Sequence, residues 1–277
     1  MTSRPAPVRI DPVPDPMDPA LEPLLSEPLA NAWAAGHASA LLRDRLLQRA
    51  AVSKVASAAM FTSRCQRLQS IPLAPGVSMR VLYAAPVDRP LRPGEPLRAC
   101  LIELQPGSSW ANAGTAHHRE WLVLRGRACV AGDTLDVRDY RVVPPGGAAD
   151  ALLSETGALL FLRESASAAG EAFTVRDAHA GWPDYAPGIR RRVLWQHAGQ
   201  AALLYAAEPG ASVPMHRHGH DEECLMVQGE LFLDDVLLQE GDYQLAPAGT
   251  GHRVTETDTG VVIYAHGDLD LKFVEEL

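Results

Sequence analysis

"DYRVVPPGG" at 139–147 and "DYQLAPAGT" at 242–250 are one pattern written twice, 103 residues apart. Each runs a short apolar stretch into a turn built on Pro and Gly. The same offset aligns "QPGSSW" from 105 with "EPGASV" from 208, and "EWLVLRG" (120–126) with "ECLMVQG" (223–229). It also aligns "SETGALLFL" (154–162) with "TDTGVVIYA" (257–265). Nearer the start, "APGVSMRVLYAAP" (74–86) answers "APGIRRRVLWQHA" (186–198). Matched glycines and prolines at matched turns mark a duplicated unit. Between the turns lie runs of strand length rich in Val, Leu and Tyr, the texture of an all-β sandwich or barrel. We therefore expect two similar β domains, over 66–165 and 175–277. "ESASAAGEA" (164–172) is the small-residue linker between them.

Upstream the texture differs. Residues 1–28 carry eight prolines, which remove backbone donors and block helix, so an extended arm is expected there. Residues 29–65 are rich in Ala, Leu and Arg. Leu42, Leu46, Leu47, Ala50 and Val55 roughly follow helical spacing, with Gly36 and Ser39 marking a break. A helical segment able to dock on a protein partner is expected over 29–65.

Bulk properties narrow the function classes. The chain has 277 residues and a formal net charge of -9. Phosphate binding needs clustered Lys and Arg, so nucleic acid and anionic membrane surfaces are not expected partners. The one basic run, "IRRRV" at 189–193, sits in a strand-like stretch. No apolar run is long enough for a membrane span, and no apolar segment of a secretory leader stands near Met1. Cys65, Cys100, Cys129 and Cys224 include no CxxC pair. Free thiols and a cytoplasmic location are the expectation.

The second copy carries the chemistry. "PMHRHGHDEE" at 214–223 holds His216 and His218, whose spacing places both imidazoles on one face of a strand. Glu222 follows four positions later, and His252 lies after the turn "PAGT". Three imidazoles and a carboxylate converging in a small barrel suit one divalent transition metal. His220, Asp221 and Glu223 flank this set and are expected at the surface or rim, with His220 a possible acid–base group. Cys224 is expected to be a core thiol.

These residues, taken with their glycines, resemble the cupin superfamily. Gly210, His216, His218, Glu222 and Gly229 meet every interval of its first motif, and the six residues before Gly229 select Glu222 over Glu223. Gly241, Pro247, Gly249 and His252 meet its second. The family's terminal Asn is Glu256 here, a departure that leaves the ligands untouched. The resemblance implies tandem double-stranded β-helix (jelly-roll) barrels, commonly paired as a homodimer. It implies a metal (Zn, Fe, Ni or Mn) held by His216, His218, Glu222 and His252. Carried back by 103, these positions become Ala113, Thr115, Arg119 and Ala149. The first barrel is therefore expected to be metal-free. His117 and His118 are adjacent and point to opposite faces, so no site built from them with Glu120 is expected.

"HRHGHDEECLMVQGEL" and "GDYQLAPAGTGH" are similar to the cupin domain of ChrR-type anti-sigma factors. That similarity implies a regulatory or sensor protein. The family's zinc pattern, His-x3-Cys-x2-Cys, is absent here: after His37 no cysteine occurs before Cys65. Other similar cupins imply an alternative, an Fe(II)-dependent dioxygenase acting on a small chelating ligand such as a β-diketone or aryl ketone. In that case Tyr243, Tyr264 and His266, with Phe232 and Trp195, are the residues expected to shape or serve the pocket.

Overall fold

A computed structural model describes residues 59–92, 94–112, 116–146, 150–166 and 170–274. The chain divides into two compact units, Met1–Val52 and Ser53–Leu277. The arm 1–28 and the helical segment as far as residue 58 lie outside the described residues. The end of that segment departs from expectation: Phe61–Ser63 is a strand and Cys65–Arg67 a 3-10 turn. An aromatic and a β-branched residue beside an open sheet edge favour pairing over helix.

The second unit is an all-β pair of cupin barrels. A seven-stranded antiparallel sheet in the first half runs Phe173–Val175, Tyr140–Val143, His118–Gly126, Ala158–Ser165, Arg98–Leu104, Val77–Ala84, Ile71–Ala74. In the second half the order is Phe61–Ser63, Tyr243–Ala246, Glu222–Leu233, Val261–Asp268, Gln200–Ala207, Ile189–His197, Asp184–Ala186. The two orders match strand for strand at the offsets read from the sequence. Smaller sheets close the barrels. Ser108–Asn112 and Asp150–Ser154 belong to that of the first, His216–Arg217 and Gly251–His252 to that of the second.

Each barrel borrows its edge strand from the other half. Phe61–Ser63, which precedes the first barrel, pairs with Tyr243–Ala246 of the second. Phe173–Val175, which precedes the second, pairs with Tyr140–Val143 of the first. The repeated Asp–Tyr pair explains the exchange. Asp242 accepts the Cys65 amide at 2.9 Å and the Arg64 guanidinium at 2.7 Å. Its counterpart Asp139 accepts the Asp177 amide at 2.8 Å and the Arg176 guanidinium at 3.0 Å. Each aspartate thus latches the segment that follows a borrowed strand, which covers an otherwise open edge.

Strand alternation divides the apolar residues into layers. Trp121, Val123, Ile102, Leu160 and Leu162 fill the interior of the first barrel. Cys224, Met226, Leu231, Leu233 and Val261 line that of the second. The opposite sheet faces, with Leu101, Leu122, Phe161, Leu204, Leu225 and Tyr264, pack barrel against barrel in one shared core. All four cysteines are free. Among the described residues no helix is long and apolar enough to cross a membrane.

Gly229 shows how tight the duplicated turns are. It has φ +78°, and an added Cβ would lie 2.3 Å from the Gly260 carbonyl oxygen. Its equivalent Gly126 has φ +73°, with the Gly157 carbonyl at 2.1 Å. The left-handed conformation alone costs a side chain about 1–2 kcal/mol, and the backbone contact adds to this. Gly229→Ala is therefore expected to lower unfolding free energy by more than about 2 kcal/mol. Urea denaturation checks this; an unchanged midpoint would show that the turn relaxes freely.

Candidate metal centre

The sites of His216 and His252 follow from strand pairing. His216–Arg217 runs antiparallel to Gly251–His252, with His216 directly opposite His252. The approach needs a glycine, because a Cβ on Gly251 would meet the His216 carbonyl oxygen at 2.2 Å. Pairing continues past the strand. The His218 amide donates to the Thr250 carbonyl at 2.9 Å, and the Gly249 amide to the His218 carbonyl at 2.8 Å. Glu222 opens its long strand opposite Ala246.

His216, His218 and Glu222 each offer a ligand atom, and these atoms all lie within 4.8 Å of one another. The His252 ring sits 5.0 Å from that of His218 and 5.6 Å from that of His216, centre to centre. The imidazoles are held from behind. Nδ1 of His216 lies 3.0 Å from the Pro214 carbonyl, which only accepts, so this nitrogen carries the proton and Nε2 the lone pair. The Thr250 hydroxyl donates to the Pro247 carbonyl, so its oxygen accepts from Nδ1 of His218 at 3.3 Å. Nδ1 of His252 faces the Asp234 carboxylate at 3.6 Å. Burial pushes the His218 imidazole below its usual value, with Glu222 resisting, so the ring is neutral near pH 7.

The donor set fits a cation. Nε2 of His218 is buried, makes no hydrogen bond, and lies 3.5 Å from the Glu222 carboxylate. A buried polar atom left unmatched costs about 1–3 kcal/mol, and a divalent ion among these donors removes that cost. Beside them opens a cavity of about 70 Å³, lined by His216, Glu222, His252, Cys224 and Tyr205 together with apolar side chains such as Leu233.

Comparison with known proteins agrees with the fold. Residues 170–270 match the family described as the ChrR Cupin-like domain. The matched residues fall on the second barrel, which is similar to that domain. Solved structures with a similar fold include protein Ylba from E. coli, at 14% identity and TM-score 0.59, covering 78% of this chain and 93% of that one. The oxalate decarboxylase–formate complex of Lactobacillus farciminis is similar at 12% identity and TM-score 0.57, covering 77% and 87%. A deletion mutant of Bacillus subtilis oxalate decarboxylase OxdC is similar at 15% identity and TM-score 0.56, covering 76% of each chain. No curated protein matches the chain.

Outside the donor set, the cupin domain corrects several expectations. Tyr243, Tyr264 and His266 do not reach the cavity. Leu225 pairs with both Tyr243 and Tyr264, and cross-strand partners share a face. That face looks toward the other barrel. Tyr243 donates to Glu223 at 2.8 Å, Tyr264 donates to Glu120 at 3.0 Å, and His266 stacks on Trp195 at 5.6 Å. Phe232 lies between the cavity residues Leu231 and Leu233, so alternation turns it away. Asp221 and Glu223 are fully buried, not at the rim. His220 does sit at the rim, part-exposed, with Nδ1 2.6 Å from Asp268. The sequence reading missed Tyr205, Thr250, Asp234 and Asp268. Tyr205 alternates into the barrel with Leu203 and Ala207, and Asp234 occupies a hairpin turn with φ +54°. Neither stands in a metal motif.

In the first barrel, Arg119 takes the place of Glu222 and is fully buried. Trp121, at the position of Cys224, occupies the interior. Ala113, Thr115 and Ala149 lie outside the described residues. His117 is exposed in the bend before the strand, and His118 is buried at the strand's first position.

Proposed function

We propose that the cupin domain binds one divalent transition metal through His216, His218, Glu222 and His252, and that the chain is a ChrR-like regulator or sensor. The observation carrying this reading is the convergence of three ligand atoms within 4.8 Å, with His252 beside them. When bound, the metal supplies a Lewis-acidic centre with positions open to a small ligand. The chain's own residues fix the imidazole lone pairs through Pro214, Thr250 and Asp234, and exclude bulk water with an apolar wall.

Two features favour sensing over turnover. The match covers the ChrR-like domain. Tyr243, Tyr264 and His266, expected to shape or serve the pocket of a dioxygenase, face away from the cavity. A dioxygenase is the second reading, since the cavity adjoins the donors and leaves a ligand room beside them.

Elemental analysis of freshly purified protein tests the first claim, with about one metal per chain expected. His117→Ala is expected to leave that value unchanged; a drop would assign metal to the first barrel instead. Iron-loaded protein given O₂ and a β-diketone or aryl ketone separates the two functions. No oxygen uptake is expected, and sustained uptake would replace the sensor with the dioxygenase.

A further inference from the structure

We infer that the first barrel, itself without the ligand set, clamps the metal-bearing loops of the second through Arg92. The inference rests on the metal-site reading above.

The offset between the two copies falls from 112 before residue 86 to 103 after it, so the first copy carries nine extra residues. They lie between the strands Val77–Ala84 and Arg98–Leu104. The matching strands of the second copy, Ile189–His197 and Gln200–Ala207, are joined by Ala198 and Gly199 alone. The longer connection is anchored at Glu95, which is 3% exposed. Glu95 accepts from the Tyr83 hydroxyl, from Arg89 at 2.7 Å and from the Arg92 amide at 2.8 Å. Burial alone would push its carboxyl up; the hydrogen bonds from Arg89 and Tyr83 and the backbone bond from Arg92 bring it down to about 2. The Gly94 carbonyl accepts from Arg163 at 2.8 Å.

From this anchored strap Arg92 reaches across to the second barrel. Its Nε donates to Oδ2 of Asp221 at 2.6 Å. Asp221 is fully buried, and its other oxygen accepts the Ala248 amide at 2.9 Å. Asp221 stands between His218 and Glu222; Ala248 leads into His252. One carboxylate therefore ties the two ligand-bearing segments together, and a guanidinium from the other barrel holds that carboxylate. The link runs one way only in sequence terms: the position of Asp221 is His118 in the first copy, and the turn at 198–199 is too short to form a second strap.

Arg92 is thus a positioning residue. Groups that orient metal ligands at second hand typically change affinity by about 10–100-fold when removed. Arg92→Met is expected to weaken zinc binding by that factor, measured by chelator competition, and to speed amide exchange at Ala248 in metal-free protein. Arg92→Lys, which keeps the charge, is expected to fall between. In an Asp221→Asn background, Arg92→Met is expected to add little, because the two act through one contact. Folded Arg92→Met with zinc affinity within about twofold of the parent would overturn the clamp. So would an equal effect of Arg92→Met in the Asp221→Asn background. If the parent binds no zinc, the metal-site reading fails and amide exchange decides the clamp alone: unchanged exchange at Ala248 rejects it.

Discussion

Arg163→Met is expected to cost about 3–5 kcal/mol of stability at pH 7, the usual result of removing one member of a buried ion group. Arg163 is 2% exposed and lies between the barrels. It donates to Glu223 at 2.6 Å and to Glu120 at 3.0 Å. Glu120 also accepts from Tyr140 and Tyr264, and Glu223 from Tyr243. Glu120, Tyr140 and Arg163 are the counterparts, 103 residues earlier, of Glu223, Tyr243 and His266. One side of the duplication kept an arginine and the other a neutral histidine, so a single guanidinium serves two carboxylates. Burial, and then Arg163 itself, brings His266 down to about 3, which leaves it uncharged near neutral pH.

The pH dependence has a definite sign. Burial would raise the Glu120 carboxyl, but Arg163 first, with His266 and Tyr140, holds it at about 2 against an ordinary 4.5. Its folded value is depressed, so its contribution to stability is fully present above about 4.5 and is lost as pH falls through about 2. Without Arg163 that advantage disappears, and protonation of Glu120 relieves the buried charge instead. The deficit of the variant should therefore be largest near pH 7 and shrink toward pH 4. Urea midpoints at the two pH values measure it. Equal deficits at both would mean that Arg163 acts through packing and not through its charge.

The same network shows what the sequence could and could not disclose. The duplication was legible because turn glycines and prolines answer backbone demands that any copy must meet, as at Gly126 and Gly229. The convergence of His216 and His252 was legible because they are strand neighbours whose spacing is set by those turns. The faces of Tyr243, Tyr264 and His266 were not. In a barrel standing alone, the outward face of the sheet is polar and alternation identifies the inside. Here the outward faces of two barrels meet, so both sides of Glu222–Leu233 read as apolar. Asp221 and Glu223 looked like surface charges for the same reason, since their partners Arg92 and Arg163 come from the other half of the chain. The exchanged strands Phe61–Ser63 and Phe173–Val175 have three residues each, too few to show a period.

Replacing both His216 and His218 by Ala is expected to abolish metal retention, a larger effect than the about 10–100-fold typical of groups behind the ligands. The stability change carries the sharper test, because it is small without metal and large with it. Without metal, His218 leaves Nε2 buried and without a hydrogen bond. Taking the ring away removes an unmatched polar atom worth about 1–3 kcal/mol, which offsets the packing lost. Metal-free His218→Ala should therefore unfold close to the metal-free parent. With zinc at a hundred times its dissociation constant, the parent gains about 2.7 kcal/mol from binding to the folded state alone. The double variant gains none of it. Thermal unfolding of both proteins, with and without a chelator, separates the contributions. The parent's transition should drop on chelation and the variant's should not move. A parent indifferent to chelator, or a variant that still rises with zinc, would show that these imidazoles meet for a reason other than holding an ion.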